Sequence, residues 1–286
     1  MAGSPGHITV VTDSTAYLPD ALVAAHGITV VPLTVVISGD EGREGIEVTP
    51  SDVAVALSRR VAVTTSRPAP AELGKAYRGL FEAGASGVVS VHLSAQLSGT
   101  YESAVLAARD FGDRVAVIDS RSTGMGLGFP AVVAAAAAAQ GADLSGVREK
   151  VLAAIDRTTT LFYVDTLEFL RRGGRIGAAS ALLGTALAVK PILWVNEGVI
   201  VVRDKVRTAS RALARLVDLA VEAAGQSDVD VAVHHLAAAE RAAGLADALA
   251  NRLGERLRAS YLTEVGAAVG AHVGPGLACV VVYRHI

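Results

Sequence analysis

Four apolar, β-branched runs in the first half of the chain, 8–11, 28–37, 87–93 and 115–118, are near-continuous rather than alternating. A strand with one wet face alternates apolar and polar residues, so unbroken runs suit strands covered on both faces. Helical patterns fall between and after them, at 51–59, 71–82, 100–110 and 125–140. Strand alternating with helix predicts a doubly wound α/β layer with a mostly parallel sheet.

After a further helical stretch at 144–157 the pattern changes. Strands are expected at 161–164, 192–195 and 199–203, the last two joined by Asn196-Glu197-Gly198. A short Gly-containing loop between two strand patterns signals a hairpin, hence antiparallel pairing and a mixed sheet. The helix expected at 208–224 has Ala209, Ala212, Leu213, Leu216, Val217 and Ala220 on one face. Strands at 229–233, 260–263 and 278–283, with a helix at 237–257, complete a second α/β unit. The change of pattern puts a boundary near 157–161, giving domains 1–158 and 159–286.

Composition supports two folded domains and narrows the partners. At 286 residues the chain exceeds a typical single domain of roughly 100 to 200 residues. With 51% hydrophobic and 19% charged residues it can bury a sizeable core. A formal net charge of -2 lacks the basic footprint of a nucleic-acid binder. The lone Cys279 sits in an apolar run and reads as a small buried hydrophobe. The start MAGSPGHITV has neither a basic opening nor a long apolar stretch, so a cytoplasmic protein is expected. The most apolar segment, 125–139, is interrupted by Pro130 and is shorter than the roughly 20 residues that span a bilayer. No stable membrane insertion is expected.

Four turns carry hydroxyls just before a helix: Thr12-Asp13-Ser14-Thr15, Thr64-Thr65-Ser66-Arg67-Pro68, Ser94-Ala95-Gln96-Leu97-Ser98-Gly99-Thr100 and Asp119-Ser120-Arg121-Ser122-Thr123-Gly124. In an open α/β sheet such strand ends converge on one crevice, where helix N-termini offer N–H groups to an anion. The same residue types also cap helices, which is their commonest job. Both readings stay open on the turns alone.

Other motifs point away from familiar chemistry. Gly124-Met125-Gly126-Leu127-Gly128 lacks the G-x-G-x-x-G spacing and follows a polar turn rather than the first strand, so helix packing explains it better than a dinucleotide. Neither a P-loop nor a G-x-S-x-G elbow occurs. His234 and His235 are adjacent on a strand and point to opposite faces, so no metal site is expected.

Two glycine-rich stretches are more specific. In the run from Leu167 to Gly177 a Gly pair ends a helix and sets Arg175 on a tight turn, where it can meet a carboxylate, an acidic partner or solvent. In the run from Val269 to Gly276, His272 lies on a loop made unusual by Gly270, Gly274, Pro275 and Gly276, so a ligand can approach closely; a surface histidine is the alternative. Arg203, Lys205 and Arg207 share one parity and are expected to present three positive charges on one side.

In this order these stretches resemble the DegV family, the fatty-acid-binding proteins of bacterial fatty acid kinase systems. The resemblance spans nearly the whole chain. Its distinctive pieces are Leu97-Ser98-Gly99-Thr100-Tyr101, Leu167 and Leu170 before Gly173-Gly174-Arg175-Ile176-Gly177, Lys190-Pro191-Ile192-Leu193, and His272-Val273-Gly274-Pro275-Gly276.

The resemblance implies an N-terminal Rossmann-like domain, a smaller C-terminal α/β domain, and one long-chain fatty acid in a tunnel between them. It further implies that Thr65, beside Ser66, and the Ser94 to Ser98 turn with Gly99 hold the carboxylate together with His272. Ser98 is favoured over Ser94 because it belongs to the Ser-Gly-Thr motif. Arg175, with Arg172 before it, is placed at the ligand or at the kinase surface. The family's kinase subunit binds ATP and converts the presented carboxylate to an acyl-phosphate, so this chain is expected to be a non-enzymatic, substrate-presenting subunit without cofactor or metal. Arg67 stands where the family usually shows a glutamine.

Physical chemistry accommodates such a ligand. Burying sixteen or so methylenes at about 0.8 kcal/mol each is a large driving force, offset by the ligand's lost freedom. A buried carboxylate then needs partners, which hydroxyls and an imidazole supply. Two rival functions remain on the sequence: an independent α/β enzyme acting on a phosphorylated small molecule, with His272 as general base, and a regulatory protein with a protein partner only.

Overall fold

The computed structural model describes residues 7–182 and 189–286. Residues 1–6 of the opening stretch considered above lie outside the described residues. Along the chain run β1 (Ile8–Asp13), α1 (Asp20–His26), β2 (Thr29–Val31), β3 (Thr34–Ile37), β4 (Asp40–Arg43), α2 (Pro50–Ser58) and β5 (Val63–Ser66). There follow α3 (Pro70–Glu82), β6 (Gly87–His92), α4 (Thr100–Ala108), β7 (Val115–Asp119), α5 (Met125–Ala139) and α6 (Leu144–Asp156). The remainder is β8 (Thr158–Tyr163), α7 (Glu168–Arg172), β9 (Lys190–Asn196), β10 (Val199–Val206), α8 (Ala209–Ala224), β11 (Val229–His235), α9 (Ala239–Leu253), β12 (Leu257–Glu264), α10 (Ala267–Val273) and β13 (Ala278–Arg284).

The chain forms two compact units, residues 1–33 with 67–156 and residues 34–66 with 157–286. The chain passes between them three times, and the last passage, between 156 and 157, lies two residues from the expected division at 158/159. The segment 34–66, expected in the first domain, groups with the C-terminal half instead, which makes the second unit the larger one. Where this segment begins, the run 28–37 divides into two strands rather than one. Pro32 has no N–H for a ladder, and β2 and β3 on either side of it belong to different sheets.

In the first unit the sheet order is β2-β1-β6-β7, with every pair parallel. Both faces are covered, as unbroken apolar strands require. Val10, Val89, Val91 and Ile118 pack with Leu127, Ala131 and Val151 of α5 and α6. The alternate residues Val11 and Val88 pack with Leu73, Tyr77 and Ala104 of α3 and α4. Gly128 of α5 is small for a reason: an added Cβ would come within 2.6 Å of Met125 Sδ and 3.0 Å of Ala16 O. Among the described residues no helix is long and apolar enough to cross a membrane.

The second unit holds a six-stranded mixed sheet, order β10-β9-β8-β13-β11-β12, in which only β11 and β12 pair in parallel. Its core joins Leu161, Tyr163, Ile192, Val231 and Val280 of the sheet to Leu216, Ala220, Leu245 and Leu249 of α8 and α9. The β9–β10 hairpin closes on Glu197 (φ 47°) and Gly198 (φ 82°), so both central residues take positive φ as a tight primed turn needs. Cys279 is buried in β13. A separate antiparallel sheet, order β4-β3-β5, comes from the 34–66 segment.

The expected common face of Arg203, Lys205 and Arg207 does not form. The β9–β10 register shifts between Val202 and Asp204, which throws the parity out by one at Arg203. Arg203 lies 5.1 Å over the Trp194 ring and 3.5 Å from Glu222 of α8. Asp204 faces the same helix, accepting from Arg215 at 2.6 Å, whereas Lys205 stands opposite Pro191 and is exposed.

Candidate functional site

Thr65 and His272, 207 residues apart, meet at 2.9 Å between Oγ1 and Nε2, both in the second unit. Thr65 lies on β5 opposite Val35 of β3. Strand alternation turns the neighbouring Ser66 side chain to the other face, where it is exposed. The first three residues of the turn predicted at Thr64 to Pro68 thus end an antiparallel strand, separate from the parallel sheet to which the other three hydroxyl turns belong.

His272 is not on a loop. It occupies the last turn of α10, whose sequence AAVGAHV has weak helix propensity because of its glycine and two valines. Tertiary contacts supply what propensity lacks. The buried Glu44 carboxylate accepts from Ala268 N at 2.7 Å, satisfying one of the unpaired donors of the helix start. Gly274 caps the other end with φ 73°, and an added Cβ there would strike the Phe169 ring at 2.1 Å. Gly173, after α7, gives similar clearance to the imidazole: an added Cβ would lie 2.1 Å from His272 Nδ1.

That Nδ1 is buried and has no hydrogen-bond partner among the described residues. Burial, and secondarily the nearby Arg175 guanidinium, push the His272 pKa down to about 4. The ring is therefore neutral at neutral pH, and whichever nitrogen carries the proton, Nδ1 is left for a group outside the chain. A cavity of about 410 Å³ adjoins the pair, walled by Arg60, Val61 to Thr65, Phe169, Arg172, Gly173, Arg175 and Ala271. Arg175 sits after Gly174 (φ 70°), and its Nη1 donates to Gly173 O at 2.5 Å. Arg172 is exposed and pairs with Glu168 one turn earlier.

Ser94, Ser98 and Gly99 lie in the first unit. Ser94 is buried, and its Oγ accepts from Gln96 N at 3.1 Å, while its carbonyl accepts from Leu97 N and Ser98 N. Ser98 Oγ is 3.0 Å from Thr100 Oγ1 at the start of α4. Gly99 is held small by Arg67, whose guanidinium lies 1.9 Å from where a Cβ would stand. The chain's arginine at this position thus packs on the glycine of the Ser-Gly-Thr motif.

A polar network escaped the sequence reading. Asp13 and His92 are fully buried at the ends of β1 and β6. Asp13 Oδ2 lies 3.0 Å from His92 Nδ1 and accepts from Leu93 N at 3.0 Å, while Oδ1 accepts from Thr15 N at 3.1 Å. His92 Nε2 lies 2.7 Å from Ser90 Oγ, which lies 2.8 Å from the Tyr77 hydroxyl. Burial pushes that phenol up to about 12. The available signal was the pair Ser90 and His92, two residues apart in an otherwise apolar strand and so on one face. Glu44 and Arg60 left no comparable mark, because their roles come from contacts distant in sequence.

Comparison with known proteins agrees with this architecture. The model of the family described as "Uncharacterised protein, DegV family COG1307" matches residues 7–285. A DegV domain-containing protein of Streptomyces coelicolor is 52% identical over 279 residues, 96% of this chain and 98% of that protein. A DegV family protein from Thermus thermophilus, whose solved structure is described as fatty-acid-binding, superimposes with a TM-score of 0.92 at 34% identity, covering 98% of this chain and all of the other. DegV of Bacillus subtilis, described as a fatty acid binding protein, gives a TM-score of 0.89 at 32% identity with 98% and 100% coverage. With its parallel sheet, its mixed sheet and a family match running almost end to end, the chain belongs to the DegV family.

Proposed function

We propose that this protein binds one long-chain fatty acid, with the carboxylate at Thr65 and His272, and presents it to an ATP-binding fatty acid kinase subunit for conversion to an acyl-phosphate. The observation that carries the reading is the Thr65–His272 pair at the cavity wall with its buried Nδ1 unpartnered. An unpaired buried polar atom is costly, and a ligand oxygen at hydrogen-bond distance removes that cost. Solved relatives described as fatty-acid-binding support the choice of ligand. The chain's part is to hold and orient the carboxylate, and the kinase partner supplies ATP and the phosphoryl transfer.

Native mass spectrometry of the purified protein, followed by denaturing extraction, tests the ligand. One fatty acid per chain is expected, and both His272→Ala and Thr65→Ala should retain less of it and give slower acyl-phosphate formation with a kinase subunit and ATP. No lipid after incubation with a fatty acid mixture would overturn the ligand assignment, and unchanged retention in both variants would overturn the site.

A further inference from the structure

We infer that Arg60 supplies the positive charge by which the Thr65–His272 cavity selects an ionised carboxylate over an uncharged head group, a role that rests on the fatty-acid site proposed above. The hydrogen-bonding pair carries no charge of its own at neutral pH, because burial and Arg175 keep the imidazole unprotonated. A neutral hydroxyl and a neutral ring serve an alcohol, an ester or an acid alike. Discrimination in favour of the anion must come from a cation in the wall.

Three arginines line that wall. Arg172 is already paired with Glu168, and Arg175, whose charge reaches the His272 ring, has its Nη1 committed to Gly173 O. Arg60 makes no side-chain hydrogen bond or ion pair among the described residues. Its backbone is also informative. Arg60 follows the C-cap of α2 at φ 59°, with Arg60 N bonded to Leu57 O at 3.0 Å and Val61 N to Ala56 O at 2.9 Å. This is the left-handed helix stop at which glycine is the usual residue. A long cationic side chain at a position that favours glycine, next to a cavity that holds the Thr65 hydroxyl, is accounted for if the side chain meets an anion there.

The test compares the affinity of delipidated protein for a long-chain fatty acid and for the fatty alcohol of the same chain length, in wild type, R60Q, R60G and R60K. Loss of one partly exposed charge contact is expected to weaken fatty acid binding about 3- to 10-fold in R60Q and R60G. Binding of the alcohol should stay unchanged, R60K should keep most of the preference, and the wild-type preference should shrink as salt rises. R60G keeps the test sound if R60Q folds poorly, since glycine suits the backbone at this position. An acid-to-alcohol ratio in R60Q and R60G equal to that of wild type would overturn the role of Arg60 while leaving the fatty-acid site intact. Wild-type protein that binds neither ligand would overturn both.

Discussion

His92 and His272 both lie inside the protein and both meet a hydroxyl, but they differ in what the second ring nitrogen finds. In the first unit His92 has Ser90 at Nε2 and Asp13 at Nδ1, inside a network with no solvent access. In the second unit His272 has Thr65 at Nε2 and nothing of the chain at Nδ1, beside a cavity. A histidine whose nitrogens are both taken braces a fold. One with a buried nitrogen left over has a hydrogen bond to offer a ligand.

The largest effect should come from breaking the saturated side of this comparison. Asp13→Ala leaves His92 Nδ1, Leu93 N and Thr15 N without their acceptor in a dry interior, and about 3 kcal/mol or more of stability should be lost. Urea denaturation followed by circular dichroism measures this. A loss below about 1 kcal/mol would mean that the network is incidental to stability.

A smaller effect concerns pH. The folded pKa of His272 lies near 4, below its ordinary value of 6.5, so the unfolded chain takes up the proton first as pH falls. His272 therefore contributes stability that is present above about pH 6.5 and lost as pH drops toward 4, on the order of 2 kcal/mol. His234, pushed down to about 4 mainly by burial, acts in the same direction. H272Q should then lose less stability than wild type between pH 6.5 and pH 4. Identical losses would show that the ring is not held neutral by its surroundings.

The smallest effect separates folding from binding. Thr65→Val keeps the side-chain shape and removes one partly buried hydrogen bond, at a cost of about 1 kcal/mol or less in stability. Ligand retention should fall nonetheless. A variant that loses stability but retains lipid as wild type does would place Thr65 with Asp13, among the bracing residues.

Much of the fold was legible in the sequence. The ends of α2, α3, α5 and α6 fall within one or two residues of the helical patterns, because caps and periodicity are local properties. The hairpin at Glu197-Gly198 was equally plain, since few residues tolerate its backbone. Errors arose where a distant contact overrode the local signal. The parity of Arg203 and Lys205 was undone by a register shift visible only in the β9–β10 pairing. The stretch around His272 looked like a loop because of its glycines, and it is a helix because Glu44 and Phe169 hold its two ends.

By itself, the sequence determined which segments become strands and helices, that the first sheet is parallel and covered on both faces, and which family the chain resembles. Those follow from side-chain size, polarity and spacing within a few residues of one another. Only the tertiary structure decided that 34–66 joins the C-terminal half, that Thr65 and His272, which the family resemblance brings to one carboxylate, bond each other directly, and that Arg60 shares their cavity. The pairing of residues 207 apart depends on how whole elements pack, and no local pattern carries that information.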